Sequence, residues 1–234
     1  ELHRIKNEHI IWVRQTLGFD EAQQLDDETY MAIAQMWAEL AGLDDWDNFT
    51  YLVIAGDSPT VKAERWPRLE SLHDWLFKRV YPDRYVELNN AFENFRRVLH
   101  DFIRVFSDHM ATPEDGEKYV QTRKFYKIDA WNEELYAKLV NQYDEHLNLL
   151  SDFAVELTRA ANYICDLMRK HVYRGFRIKE GLLVAQTGTW MDGVDRTVRV
   201  AYKPEERTGF PYQGREKFMT VRCQRDFFYG PPRD

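Results

Sequence analysis

The chain has 234 residues, 44% of them hydrophobic, 30% charged and 15% aromatic. That composition excludes a disordered segment and a low-complexity linker, and it provides enough chain for one large domain or two small ones with a real core. The net charge of −7 is unevenly placed, since residues 174–234 hold 12 Lys and Arg against 8 Asp and Glu while the rest is strongly acidic.

The basic C-terminal part is therefore expected to dock on the acidic body or on a second copy of it, with an anionic partner as the alternative. Two cysteines, Cys165 and Cys223, make neither a disulfide framework nor a zinc site, which fits a reducing, cytoplasmic setting. The longest uncharged run, 181–191, is too short to span a bilayer. No signal-peptide pattern is present, but the chain opens on Glu1 rather than Met, which leaves room for a leader, anchor or further domain ahead of it.

In chain order, residues 3–17 read as a short helix ended by Gly18. Asp26 or Asp27 can cap the next helix, whose apolar row is Tyr30, Ala34, Trp37 and Leu40, with Gly42 past its end. The run 46–55 is ambiguous between helix and strand, and 56–59 is a turn. Pro67 opens a helix with Leu69, Leu72, Leu76 and Val80 on one face. A long helix follows over 83–110. Its rows are Leu88, Phe92, Phe95, Leu99, Phe102 and Phe106, with Ala91, Val98 and Val105 alongside.

The connection 111–131 is longer than bundle loops usually run. It begins acidic and turns basic and aromatic, and 119–125 could form a strand. Residues 132–174 then read as one helix roughly 60 Å long, capped by Asn132, acidic in its first turn and basic in its last, with Gly175 beyond. Its core rows are Leu147, Ala154, Ala161 and Met168; Leu150, Leu157 and Ile164; and Phe153, Ala160 and Leu167. Alanines here and phenylalanines in 83–110 predict that the two long helices pack antiparallel as the core pair. After Gly175 the pattern alternates. Strands are expected at 182–185, 197–202 and 217–223, with a turn at Asp192-Gly193 and a loose Gly230-Pro231-Pro232 end.

The expected architecture is mainly α: a helical bundle over 1–175 built on two long antiparallel helices. A small antiparallel β element over 176–234 docks on it, making the class α+β overall.

Few motifs carry chemistry. Two His-Asp dipeptides, His73-Asp74 and His100-Asp101, invite comparison with helical metal phosphohydrolases, but heptad placement turns the second pair toward solvent. Glu70 and His73 form a lone Glu-x-x-His, where a di-iron bundle needs two. In the expected helix pairing His109 and His146 do not meet. No phosphate loop, dinucleotide fingerprint, Gly-x-Ser-x-Gly or Cys-x-x-Cys occurs, so neither a cofactor nor a metal is expected. Arg-x4-His occurs as Arg4 to His9, Arg68 to His73 and Arg104 to His109. This spacing resembles the catalytic signature of the HEPN ribonucleases, a resemblance that implies an all-α fold acting on RNA at a dimer interface. It makes Arg104 and His109 the catalytic candidates, which converge only if the helix ends or bends between them.

The binding candidates form a basic, ring-rich set. The decapeptide 118–127 carries four positive charges and three aromatic rings: Lys118, Arg123, Lys124, Phe125, Tyr126 and Lys127 are its candidates, with Tyr119 among the rings. On the expected last strand and its neighbour, Arg199, Phe218 and Arg222 point outward and Arg225 follows. Cations interleaved with rings suit a polyanion. The expectation is a non-enzymatic interaction module for a protein partner or a second copy, with a nucleic-acid-binding protein or HEPN-like ribonuclease as the alternative.

Overall fold

The computed structural model of the chain describes residues 6, 20–56, 58–111, 118–129, 132–189 and 195–230. The expected helix at 3–17, apart from Lys6, and the turn at Asp192-Gly193 lie outside the described residues. Within them are six α-helices and two two-stranded antiparallel sheets, a mainly α architecture with small β additions. No described helix is long and apolar enough to cross a membrane.

Helix α1 spans Glu21–Ala41. Its cap is Asp20, whose carboxylate accepts from the backbone N–H groups of Ala22 and Gln23 at 3.0 and 3.1 Å, so the helix starts a turn and a half before the expected Asp26. Gly42 ends it at φ +65°, and a Cβ there would sit 3.3 Å from the Arg65 guanidinium carbon, so glycine is needed on both counts. The ambiguous run resolves into α2, Trp46–Ile54, and Pro67 sits in the first turn of α3, Trp66–Phe77.

The two long helices form as the periodicity requires: α4 is Val86–Asp108 and α5 is Glu133–His171. Asn132 caps α5 by accepting from the Leu135 N–H at 2.9 Å, while Arg169, Lys170 and His171 complement the dipole at its far end. Gly175 takes no part in that end, because the cap residue is Val172. The pair is antiparallel and is the most extensive helix contact in the molecule. Glu87 at the start of α4 meets Tyr163, Lys170 and His171 near the end of α5. All nine row residues expected on α4 are buried. Its phenylalanine rings reach across to the short helices, Phe92 and Phe95 edge-on to Trp37 of α1 and Phe102 edge-on to Phe49 of α2. Thus α4 packs on α5 and directs its rings at α1 and α2, while α2 also packs on α5 directly, its Trp46 indole N–H donating to the Thr158 hydroxyl at 3.0 Å.

Strand β1, Thr60–Lys62, pairs with β2, Tyr119–Gln121, in the register Thr60–Gln121, Val61–Val120, Lys62–Tyr119. The expected strand over 119–125 is shorter than its alternation suggests, because Thr122 bridges instead to Met110 past the end of α4. Strands β3, Val184–Thr189, and β4, Asp195–Arg199, form a hairpin with a register shift between Gln186 and Thr189. The hairpin lies on α2, where Gly188 at φ +82° approaches Ala55 so closely that a Cβ would come within 2.6 Å of its methyl carbon.

The expected last strand, 217–223, is a helix. Helix α6 spans Arg215–Val221 and continues as a 3-10 turn over Arg222–Gln224. Phe218, Arg222 and Arg225 are spaced by four and three residues, so they share one helical face, and all three are buried. Met219, expected inward, is 43% exposed. The apolar-polar alternation of this segment imitates a strand, but the helical face buries a ring and anchors two arginines, which the strand would have left in solvent.

Those arginines meet an unexpected feature of α5. Every residue from Leu149 to Cys165 is buried, including Asp152, Glu156, Arg159 and Asn162 along one edge. Arg222 pairs with Asp152 at 3.1 Å, Arg225 with Glu156 at 2.8 Å, and Arg159 with both Glu156 at 3.1 Å and Asp226 at 2.9 Å. Tyr202 donates to Glu156 at 2.9 Å and accepts from Asn94 at 3.1 Å, tying the network to α4. Asn162 donates to the carbonyls of Leu183 and Val200 and accepts from the Leu183 N–H, which fixes the chain on both sides of the β3–β4 hairpin. The basic C-terminal part thus docks on the acidic body of its own chain.

Candidate functional site

The binding candidates divide into two places. Phe218 and Arg222 were expected to face outward on a strand with Arg225 following it; instead all three are buried against α5, where charge needs a partner and has one. Arg199 is exposed on β4 as expected. The 118–127 segment supplies the remaining candidates, and it forms one continuous surface.

That surface begins at the β1–β2 pair. Burial alternates along 119–123: Tyr119, Gln121 and Arg123 are exposed, while Val120 and Thr122 are buried. The register sets Lys62 opposite Tyr119 and Thr60 opposite Gln121, so these four share the outward side, with Val61 and Val120 beneath. A cavity of about 460 Å³ lies at the Lys62–Tyr119 end, lined by Lys62, Ala63, Glu64, Lys118 and Tyr119. Lys62 also reaches Asp45 at 2.8 Å, which holds its ammonium at the cavity edge.

Beyond Arg123 the chain turns over an aromatic floor. The backbone N–H of Arg123 donates to the His109 carbonyl at 2.8 Å, and Phe125 stacks on the His109 ring at 4.2 Å. His146 from α5 stands edge-on to His109 at 4.8 Å and to Phe125 at 6.0 Å. Tyr143, one turn earlier, contacts Phe125 and Tyr126 at 5.3 and 5.0 Å, and its hydroxyl is 2.7 Å from Ser58. Along this segment Lys118, Arg123 and Lys127 are exposed and Lys124 is half-buried.

The meeting of His109 and His146 corrects the sequence expectation that they stay apart. The register set by Glu87 opposite Lys170 and His171 carries through the helix pair, and it brings His109, the residue that caps the end of α4, beside His146 of α5. Burial holds His146 down to about 4, with His109 and Arg215 acting in the same direction and Asp108 opposing. Burial lowers His109 as well, opposed by Asp108 and reinforced by Arg123. Among the described residues, His146 Nε2 and Thr122 Oγ1 are buried without a hydrogen-bond partner.

Arg104 is exposed on α4, and the helix does end between it and His109, at Asp108. The His109 ring stacks on Phe125 and stands edge-on to His146.

The two His-Asp dipeptides come closer than expected. The His73 and His100 rings lie 5.1 Å apart across α3 and α4. Their polar atoms point elsewhere: His73 contacts Asp74 and Arg96, each at 3.3 Å, and Asp101 accepts from the Tyr212 hydroxyl rather than facing solvent. Among the described residues no three His, Cys, Asp or Glu side chains gather as a metal ion would require.

Sequence reading missed Lys62, Ser58, Tyr143 and His146 as parts of this surface. A three-residue strand is too short to show a period, so nothing announces Lys62 as the neighbour of Tyr119. No protein-family model, curated protein or solved structure matches the chain.

Proposed function

We propose that the protein is a non-enzymatic interaction module whose working surface is the β1–β2 face together with the 118–127 segment, and whose partner carries clustered negative charge. One observation supports this above the rest. Arg222 and Arg225, just past the C-terminal helix, are taken up by buried carboxylates, whereas Lys118, Arg123 and Lys127 remain exposed within one ten-residue segment that also carries the exposed Tyr119 ring.

The overall charge of −7 opposes an anionic partner at long range. At physiological salt the screening length is about 8 Å, so a partner seated on this surface responds chiefly to the cations directly beneath it. The aromatic floor also holds the backbone of 123–126 in place, which lowers the ordering cost of binding.

Retention of the chain on immobilised heparin tests the reading. Retention is expected at low salt, lost on joint reversal of Lys118→Glu, Arg123→Glu and Lys127→Glu. Equal retention of the wild type and the triple variant would refute it.

A further inference from the structure

Resting on that reading, we infer that the anionic partner is a single-stranded nucleic acid, with one base stacked on Tyr119 and the adjoining phosphates over Lys62, Lys118 and Arg123. The Tyr119 ring is 46% exposed on the outward side of the sheet, directly across from Lys62. The cavity of about 460 Å³ beside it falls within the size of small-ligand sites, roughly 300–1,000 Å³. Lys62, Lys118 and the Tyr119 ring line that cavity together with Ala63 and Glu64, so its cations outnumber its one carboxylate, and Arg123 extends the same side two residues beyond Gln121. A cationic track with an exposed ring is the combination that holds single strands, because every base offers a π-face and every linkage a phosphate.

An acidic peptide is less well served. Peptides commonly join a sheet by pairing with an open strand edge. On the side away from β1, strand β2 is covered at Gln121 and Thr122. Its one side pairs with β1, and on its other side the Ala111 N–H donates to the Gln121 carbonyl at 2.8 Å while Thr122 bridges to Met110. The outward face itself offers side chains, not backbone, and these are the Tyr119 ring and the Lys62 cation with Thr60 and Gln121 beside them. A duplex buries its base faces in its own stack and has none to give Tyr119.

The test is fluorescence anisotropy of the full chain with a labelled single-stranded oligothymidylate. Binding is expected to weaken with salt, with a log–log slope near −2 for three phosphates contacted at about −0.7 each. Tyr119→Ala should weaken it about tenfold, Tyr119→Trp should preserve it, and Lys118→Gln should make the slope shallower by about 0.7. Because Tyr119 and Lys118 are exposed, these variants are expected to fold, and far-UV circular dichroism checks that. Two results overturn the inference while leaving an anion-binding module intact: unchanged affinity of Tyr119→Ala, or equal binding of polyglutamate or duplex DNA. Absence of binding to the oligonucleotide, to polyglutamate and to heparin at low salt removes both.

Discussion

Two buried groups on α5 set opposite pH dependences of folding. Burial raises the Asp152 carboxyl from 3.8 to about 6, against the Tyr229 N–H and the Arg222 charge, which oppose the rise. Between those values the folded chain keeps a proton that the unfolded chain has released, so this group's contribution falls as pH rises from about 4 to about 6. His146 acts the other way. Its folded form gives up its proton down to about 4, whereas the unfolded side chain holds it to 6.5, so stability is lost as pH falls from 6.5 toward 4. Each slope amounts to about 1.4 kcal/mol per pH unit where only one state is protonated, so the two largely cancel in the wild type. Denaturant melts across pH 4–6.5 should separate them. Asp152→Asn is expected to show stability rising with pH, and His146→Phe stability falling with pH; parallel profiles for the two variants would contradict these assignments.

At the scale of elements, the packing of α5 divides into an apolar seam and a polar clamp. On the seam, Ala161 is fully buried where α4 approaches, and Ala161→Phe is expected to cost about 1–3 kcal/mol by overpacking. Near-wild-type midpoints in urea would show that the seam has room. In the clamp, Arg222→Met leaves Asp152 buried without its cation and is expected to cost about 3–5 kcal/mol, while Arg222→Met with Asp152→Leu should recover most of that loss. Equal destabilisation of the single and double variants, read from the same urea curves, would show that the pair does not act as a unit.

These elements differ in how far sequence reveals them. The pairing of α4 and α5 was legible because each helix repeats its apolar rows over many turns, and on α5 the Asn132 cap agrees with the rows. Helix α6 was not, since seven residues in which Met219, Val221 and Cys223 alternate with polar neighbours satisfy a strand pattern as well as a helical one. The buried edge of α5 was hidden for another reason. Asp152, Glu156, Arg159 and Asn162 look like a solvated face until Arg222, Arg225 and Asp226, some 70 residues later in sequence, are known to fold onto it. The site was half legible: the composition of 118–127 marked a basic aromatic segment, but its floor of Tyr143 and His146 depends on a helix register that periodicity alone does not set.

Across the whole molecule, charge is sorted rather than balanced. The basic C-terminal part looked like a candidate surface from its composition, yet Arg222 and Arg225 turn into the acidic body and close the fold, while Arg215 and Lys217 stay exposed. Cations are exposed elsewhere too, Arg199, Arg215 and Lys217 among them, but at the β1–β2 end of the bundle Lys118, Arg123 and Lys127 cluster in one ten-residue segment with the exposed Tyr119 ring, on a chain whose net charge is −7. That sorting is the reason for locating partner binding at 118–127 and not at 215–225. Hydrogen–deuterium exchange of the full chain with and without a heparin fragment tests this most directly. New protection over 60–63 and 118–127, with none over 215–225, is the predicted result; protection confined to 215–225, or to the β3–β4 hairpin, would contradict it.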